Sequence, residues 1–177
     1  QTPTPAHTTI TKKNAKRIGS LKEGHLTPGS RVFADQLESR VKGRLLHTAG
    51  REQDKDRYRG STIFCDAASG YIHIEHQVSF NATDSIMALE NFERVVLDMN
   101  VKVDSYHTDN GIFKSKAFVD KIRSNHQSIR YSGVGAKWQN GVSEGAINFI
   151  VATARTIMIH SAMHWPEADD ATLWPLA

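Results

Sequence analysis

The sequence predicts an α/β fold in which one mixed β-sheet is covered by helices on both faces. Three strand-like segments come first, and strands then alternate with amphipathic helices along the rest of the 177 residues. A chain of this length, with 39% hydrophobic residues, can bury one sizeable core. Its single Cys excludes an intramolecular disulfide framework and a Cys-rich zinc module.

The three leading strands are predicted from local patterns. Residues Arg31–Glu38 alternate in the way that a short strand does, and the polar, basic stretch 39–59 follows as a long connection or hairpin extension. The segments Ser61–Asp66 and Tyr71–Val78 flank Ala-Ala-Ser-Gly, a combination typical of a tight antiparallel hairpin.

Strands and helices alternate after the hairpin. Thr83 is the predicted N-cap of the first helix, which covers residues 83–99. The later elements are a strand over Lys102–His107, a helix over about Lys114–Ser124, a strand over about Ser128–Tyr131, a glycine-rich loop over Ser132–Gly141, a long helix over Val142–Met163 and a last helix over Glu167–Leu176. This order predicts five strands.

Charge is distributed unevenly along the chain. Residues 1–60 carry 13 Lys and Arg against 6 Asp and Glu, whereas residues 61–177 have a net charge of −4. We interpret residues 1–28 as a basic, extended arm and residues 29–177 as the folded core. A basic arm beside an acidic body is typical of nucleic-acid binding, although a solvated tail is an equally good interpretation of charge alone. We see no apolar run of about 20 residues and therefore expect no membrane partner.

Three carboxylates lie at positions in the sequence that are typical of active sites in α/β proteins. Asp35 is inside an apolar strand, Asp109 ends a strand, and Glu144 is in the first turn of the long helix. Strand carboxyl ends and helix N-termini are where α/β sheets place their sites. Carboxylate oxygens suit Mg²⁺, and two such ions about 4 Å apart can clamp an in-line displacement at phosphorus. Cys65, in an apolar strand without a partnered His, does not suggest a covalent nucleophile.

At this point the residues resemble a family. The strings YHTDNG (Tyr106–Gly111) and QNGVSE (Gln139–Glu144) place the two acids 35 residues apart, as in the catalytic core of retroviral and retrotransposon integrases. The likeness is particularly to copia-type elements and covers roughly residues 28–177. It implies an RNase H-like fold. It also implies a polynucleotidyl transferase that uses two Mg²⁺ or Mn²⁺ ions to process element DNA 3′ ends and join them to target DNA.

The resemblance assigns the catalytic and metal-binding triad to Asp35, Asp109 and Glu144. Asp66 is the alternative first acid, but it can instead accept backbone N–H groups of its hairpin turn, so we prefer Asp35. Nucleic-acid contacts are predicted for six polar or basic residues near the triad or along its helix: Asn110, Lys114, Lys137, Gln139, Asn140 and Arg155. A loop, cap, packing or surface role is the alternative for each of them.

The resemblance also implies a setting. Its members act on DNA as multimers, so we expect DNA, further copies of the chain and other domains of a polyprotein as partners, and an intracellular site that is nuclear during integration. Gly145 stands where copia-type sequences usually carry Arg, and the family core continues where this chain stops, so we expect a C-terminal truncation. Two alternatives stay open: an inactive nucleic-acid-binding module from a decayed element, and an RNase H-like nuclease or transposase.

Overall fold

A mixed five-stranded sheet organises the fold. The computed structural model describes residues 26–48, 51–133 and 141–177, so nearly all of the predicted arm lies outside the described residues. The strands are β1 (Val32–Gly43), β2 (Tyr58–Asp66), β3 (Ile72–Gln77), β4 (Ser105–Thr108) and β5 (Ser128–Tyr131). They lie in the order β3-β2-β1-β4-β5, with β1, β2 and β3 antiparallel and β4 and β5 parallel to β1. The predicted mixed sheet of five strands is confirmed.

The hairpin between β2 and β3 forms where the sequence predicts it, but β1 is longer than predicted. β1 continues to Gly43, which pairs with Tyr58 after a break in register that follows Glu38. The next residue, Arg44, donates its backbone N–H to the carbonyl of Thr172 at 2.7 Å. The extension of β1 therefore involves a contact with a distant segment. The polar local pattern of residues 39–59 cannot predict that contact.

One face of the sheet packs against two helices, α1 (Ala82–Asp98) and α2 (Lys116–Ser124). The Phe64 ring of β2 stacks on the Phe92 ring of α1 at 4.6 Å between centroids. The prediction of Thr83 as N-cap is wrong, because Asn81 accepts the Asp84 backbone N–H at 2.7 Å. An Asn side chain satisfies a free helical N–H better than Thr does, so the helix begins earlier.

The opposite face of the sheet packs against one long helix, α3 (Gly141–His164). Phe33, Ile63 and Cys65 on the strands form a small buried cluster with Ala146 of α3. Much of α3 beyond this contact is exposed, including Phe149 at 66% and Met163 at 74%. By length and composition alone α3 could also cross a membrane, which our estimate of the apolar runs missed.

The last segment is a 3-10 helix over Ala171–Leu176, so the predicted helix over Glu167–Leu176 is wrong in type and start. Pro175 lies inside it and cannot donate the backbone hydrogen bond that an α-helix needs. The segment is held by tertiary contacts instead. Trp174 Nε1 donates to the Val41 carbonyl at 2.7 Å, and Arg44 pairs with Asp170 at 3.1 Å.

Candidate active site

The parallel pairing of β1 with β4 brings two of the three predicted acids together. Ala34 pairs with Thr108, the last residue of β4, so Asp35 on β1 lies next to the position where the chain leaves β4 at Asp109. Adjacent strands lie about 4.8 Å apart, so the backbones of Asp35 and Asp109 are close neighbours. These residues are far apart in the sequence, and only the register of the sheet makes them neighbours.

Asp35 lies on the face of the sheet that α3 covers. Side chains alternate along a strand, so Asp35 shares a face with Phe33 and Leu37. Both of those side chains pack in the cluster that includes Ala146 and Ile150 of α3. Asp35 is half-buried there, and its Oδ1 accepts the Gln36 backbone N–H at 2.8 Å.

Asp109 stands in a tight turn just after β4. Its Oδ1 accepts the Gly111 backbone N–H at 3.0 Å. A Cβ atom on Gly111 would lie only 3.2 Å from the same oxygen, so the missing side chain lets the backbone approach the carboxylate. The Asp-Asn-Gly sequence therefore holds an exposed carboxylate close to the turn.

Glu144 is carried by the first turn of α3, the helix that covers the Asp35 face of the sheet. It lies two residues before the buried Ala146, and its side chain is exposed. Acidic side chains are favoured at a helix N-terminus by the helix dipole. The packing of Ala146 against β1 and β2 thus fixes the helix end that carries Glu144 on the Asp35 face of the sheet.

The three side chains are all-oxygen donors, which is the donor chemistry that Mg²⁺ and Mn²⁺ prefer. Over residues 26–48, 51–133 and 141–177, however, no three His, Cys, Asp or Glu side chains lie close enough together to hold a metal ion. Residues 134–140, which lead into α3, are outside that range. The use of Asp35, Asp109 and Glu144 as metal ligands therefore stays a prediction.

Asp66 has the structural role that we weighed against a catalytic one. Its side chain is buried, at 5% exposure, and both oxygens are engaged. Oδ2 accepts the backbone N–H of Ser69 at 2.7 Å and its hydroxyl at 2.6 Å, while Oδ1 accepts the Gly29 backbone N–H at 2.8 Å. The turn contact is the one expected from the sequence, and the contact with Gly29 is additional. A carboxylate saturated in this way favours Asp35 as the first acid.

The structure describes three of the six residues predicted to contact nucleic acid, Asn110, Lys114 and Arg155, and does not test the predicted contacts. The Asn110 side-chain amide donates to the Ser132 carbonyl at 3.0 Å, so it ties the turn after β4 to the end of β5. Lys114 Nζ lies 5.2 Å from the centroid of the Tyr131 ring, a cation–π distance. The other three, Lys137, Gln139 and Asn140, fall outside the described residues.

Arg155 lies farther from the acids, in a groove of about 740 Å³ between α3, the end of β1 and the C-terminal 3-10 helix. Apolar side chains such as Leu37, Met158 and Trp174 form much of its wall. Arg155 itself is exposed. The structure therefore does not bring Arg155 to the carboxylates, in agreement with the distance of about 16 Å along α3 expected from the helical rise.

Sequence reasoning missed Arg130, a basic residue of β5 on this face whose strand partner is His107. The His107 ring of β4 contacts Phe33, with 5.1 Å between centroids, and its Nε2 lies 3.1 Å from Ser132 Oγ. Burial lowers the pKa of His107, and the positive charges of Arg31 and Arg130 lower it further. The signal in the sequence was the alternation of β5, which sets Arg130 opposite the apolar Ile129.

Cys65 is buried, in a setting that disfavours its reactive thiolate form. Burial raises the pKa of its thiol, and the charge of the neighbouring Asp66 raises it further. A thiol held in its protonated form is a poor nucleophile. This finding agrees with the view that the chemistry of the site relies on carboxylates.

Comparison with known proteins shows which solved structures have a similar fold. No family model and no curated protein matches this sequence. Two solved structures of the HTLV-2 integrase catalytic core domain in complex with magnesium are similar, one dimeric and one trimeric, each with a TM-score of 0.54. The dimeric form is 16% identical and covers 82% of this chain and 80% of its own; the trimeric form is 17% identical, covering 85% and 86%.

A third similar structure comes from a larger assembly. It is the simian T-cell lymphotropic virus intasome in complex with PP2A regulatory subunit B56 gamma, with a TM-score of 0.58 and 15% identity. The match covers 86% of this chain and 48% of that one. At such low identities the likeness establishes the fold alone: this chain has the RNase H-like fold of integrase catalytic cores.

Proposed function

We propose that this protein is an integrase catalytic core of the copia type, which processes DNA 3′ ends and transfers them to a target strand with divalent metal ions. One observation carries the proposal: the β1–β4 register sets Asp35 next to the position of Asp109. Glu144, in the first turn of the helix that covers this face, is the proposed third acid. The fold shared with integrase cores supports the proposal. The strings around Asp109 and Glu144 support the copia type.

In the proposed reaction a water molecule, and then a DNA 3′-OH, attacks a phosphodiester. A new P–O bond forms in line with the P–O bond that breaks, and the leaving 3′ oxygen takes up a proton. Two Mg²⁺ ions, held by Asp35, Asp109 and Glu144, would activate the nucleophile and stabilise the leaving oxygen when bound. Asp35 is half-buried, which shields its ligand oxygens, whereas Asp109 and Glu144 are open to a substrate.

Neighbouring residues would position the DNA. Asn110 holds the end of β5 through Ser132, at the point where the chain enters the segment that carries Gln139 and Asn140. Lys114 lies on the turn after Asp109 and can meet a phosphate beside the site. The proposed assembly contains several copies of the chain, as in the dimeric and trimeric neighbours, together with other polyprotein domains, and it acts in the nucleus.

The test is an assay for Mg²⁺- or Mn²⁺-dependent nicking and strand transfer on a duplex with a recessed or blunt element end. Asp109→Asn should lower the rate by about 100-fold or more, because the lost charge is one that the metal ions need. Asp104→Asn is the matched control. Asp104 is also exposed and lies five residues earlier, just before β4.

The outcomes are separable. Loss of activity in Asp109→Asn with wild-type activity in Asp104→Asn supports the proposal. Equal rates in the wild type and in Asp109→Asn would mean that the activity does not come from this site.

A second candidate is an inactive nucleic-acid-binding module of the same fold. It is favoured by the absence of a metal-spaced group of three ligands in the part of the chain that the structure describes. It is also favoured by Gly145, which stands where the family usually carries Arg. DNA binding without metal-dependent cleavage in the wild type would select this candidate.

A further inference from the structure

The face of the sheet that carries Asp35 is only partly covered. α3 packs over β1 and β2. On β5, at the far side of the same face, Ser128 and Arg130 are both exposed. A DNA strand that reaches the carboxylates would therefore meet this open part of the sheet.

The side chain of Arg130 is directed by the alternation of β5. Ile129 and Tyr131 pack against the core between the sheet and α1, and the Tyr131 hydroxyl donates to the Phe113 carbonyl at 3.1 Å. Arg130 must then lie on the opposite face, the one that α3 partly covers. Its strand partner is His107, which contacts Phe33 on that same face.

Arg130 is available to a ligand. Within residues 26–48, 51–133 and 141–177 its side chain makes no ion pair and no hydrogen bond, and it is exposed. The positive charge of Arg130 also contributes to the lowered pKa of His107, although burial and the charge of Arg31 contribute more. Arg130 and His107 are paired across β4 and β5, so their side chains leave the same face of the sheet at neighbouring positions.

The distance from Arg130 to the candidate site suits a neighbouring phosphate. Asp109 is two residues beyond His107, the strand partner of Arg130. With strands about 4.8 Å apart and a rise of about 3.3 Å per residue, the two Cα atoms are separated by roughly 8 Å. An Arg side chain spans most of that distance, so it can hold a phosphate next to one that reacts at the acids.

We propose that Arg130 binds a phosphodiester of the DNA strand, adjacent to the phosphodiester that reacts at Asp35 and Asp109. The inference rests on the proposed function and adds a DNA-binding residue to it. A planar guanidinium can bind two phosphate oxygens at once, and it stays charged at any physiological pH. A phosphate contact positions the strand without reading its bases, so the contribution of Arg130 is independent of sequence.

The first experiment compares Arg130→Gln with Arg123→Gln in the full chain. Both changes remove one exposed positive charge, but Arg123 lies on α2, on the other face of the sheet. Binding to a 30-base-pair duplex is measured by fluorescence anisotropy between 50 and 200 mM KCl, with Ca²⁺ replacing Mg²⁺ to hold back cleavage. Thermal unfolding of both variants checks that they fold.

We expect Arg130→Gln to bind roughly 3- to 10-fold more weakly and to lower the slope of log K against log salt by about one. Arg123→Gln should keep the wild-type slope. A second measurement replaces single phosphates of the duplex with neutral methylphosphonates. One replacement near the reactive phosphate should weaken wild-type binding and have no further effect on Arg130→Gln.

Two results would overturn the inference. If Arg130→Gln and Arg123→Gln have the same slope and affinity as a wild type that binds DNA, Arg130 is surface charge and the proposed function still stands. If the wild type neither binds nor cleaves DNA, the proposed function fails together with the inference.

Discussion

The two faces of the sheet differ in how much apolar surface they bury. The face that packs against α1 and α2 holds a continuous core that includes Phe64, Phe92 and Tyr106, each at most 1% exposed. In the part of the chain that the structure describes, the buried apolar cluster of the α3 face consists of Phe33, Ile63, Cys65 and Ala146. The candidate catalytic acids lie on this second face.

The difference means that the larger buried apolar core lies on the side of the sheet opposite the candidate acids. Burying a carboxylate without partners costs free energy, so a face that presents open acids cannot also be closed by a large core. The α1 face is closed over a large core, and most of its buried polar groups have partners, Gln77 Nε2 and Gln127 Oε1 being exceptions. Tyr106 is one of those with a partner, since its hydroxyl donates to Glu93 at 2.7 Å.

α3 extends the same contrast. It is apolar on most of its circumference, yet the stretch of it that resembles a membrane span is only 6% buried. A helix that is apolar all round is normally covered by other protein or by lipid. The exposed side of α3 is therefore apolar surface that is less well covered than α1, whose exposed side chains are those that face away from the sheet.

The largest expected effect tests the difference in burial directly. Phe92→Ala should lower the free energy of unfolding by about 3–5 kcal/mol, because it opens a cavity beneath the stacked Phe64 ring. Ile150→Ala, on the half-buried side of α3, should cost only about 1 kcal/mol. Urea unfolding measures both values. Equal losses for the two variants would contradict the division between a stabilising and a functional face.

A second prediction separates the two candidate first acids. Asp66→Asn should destabilise the fold by about 1–3 kcal/mol, because its saturated carboxylate cannot be replaced without losing acceptors for Ser69 or Gly29. Asp35→Asn should change stability little, since an amide oxygen can still accept the Gln36 N–H. Nicking activity should show the reverse order, with the loss in Asp35→Asn. If Asp66→Asn were stable and inactive, the assignment of the first acid would change.

The smallest expected effect is on the pH dependence of thermal stability, and it involves a His that contacts the C-terminal segment. His76 Nε2 lies 3.2 Å from the Pro175 carbonyl, which can only accept, so this nitrogen carries the proton. Nδ1 then accepts from the Ser61 hydroxyl at 2.7 Å. Burial lowers the pKa of His76, although the Pro175 carbonyl and the charge of Glu75 act in the opposite direction.

A lowered pKa in the folded state means that the unfolded chain takes up protons first as the pH falls. The stabilising contribution of neutral His76 is therefore present above the unfolded pKa of about 6.5 and is lost as the pH falls through the lower, folded value. The thermal midpoint should drop between pH 7.5 and pH 5, and His76→Gln should drop less. His47→Gln, which changes an exposed His, serves as the control. An unchanged pH dependence in His76→Gln would exclude this role.

Much of the fold could be predicted from local chemistry. Alternation and turn residues located the β2–β3 hairpin, and β5 begins and ends at the predicted residues. The Asp-Asn-Gly turn and the acid in the first turn of a long helix are also local features, so the sequence identified Asp109 and Glu144 as candidates. Each of these signals depends on residues within a few positions of one another.

What the sequence alone determined was therefore the set of elements, their order and the identity of the candidate acids. Tertiary structure decided which of them meet. The parallel register placed Asp35 next to the position of Asp109, and the Gly29 backbone N–H added a hydrogen bond to Asp66 from a distant segment. Docking of the C-terminal segment extended β1 to Gly43. These outcomes arise from hydrogen bonds and packing between distant segments, and no local pattern records which distant partner a residue will find.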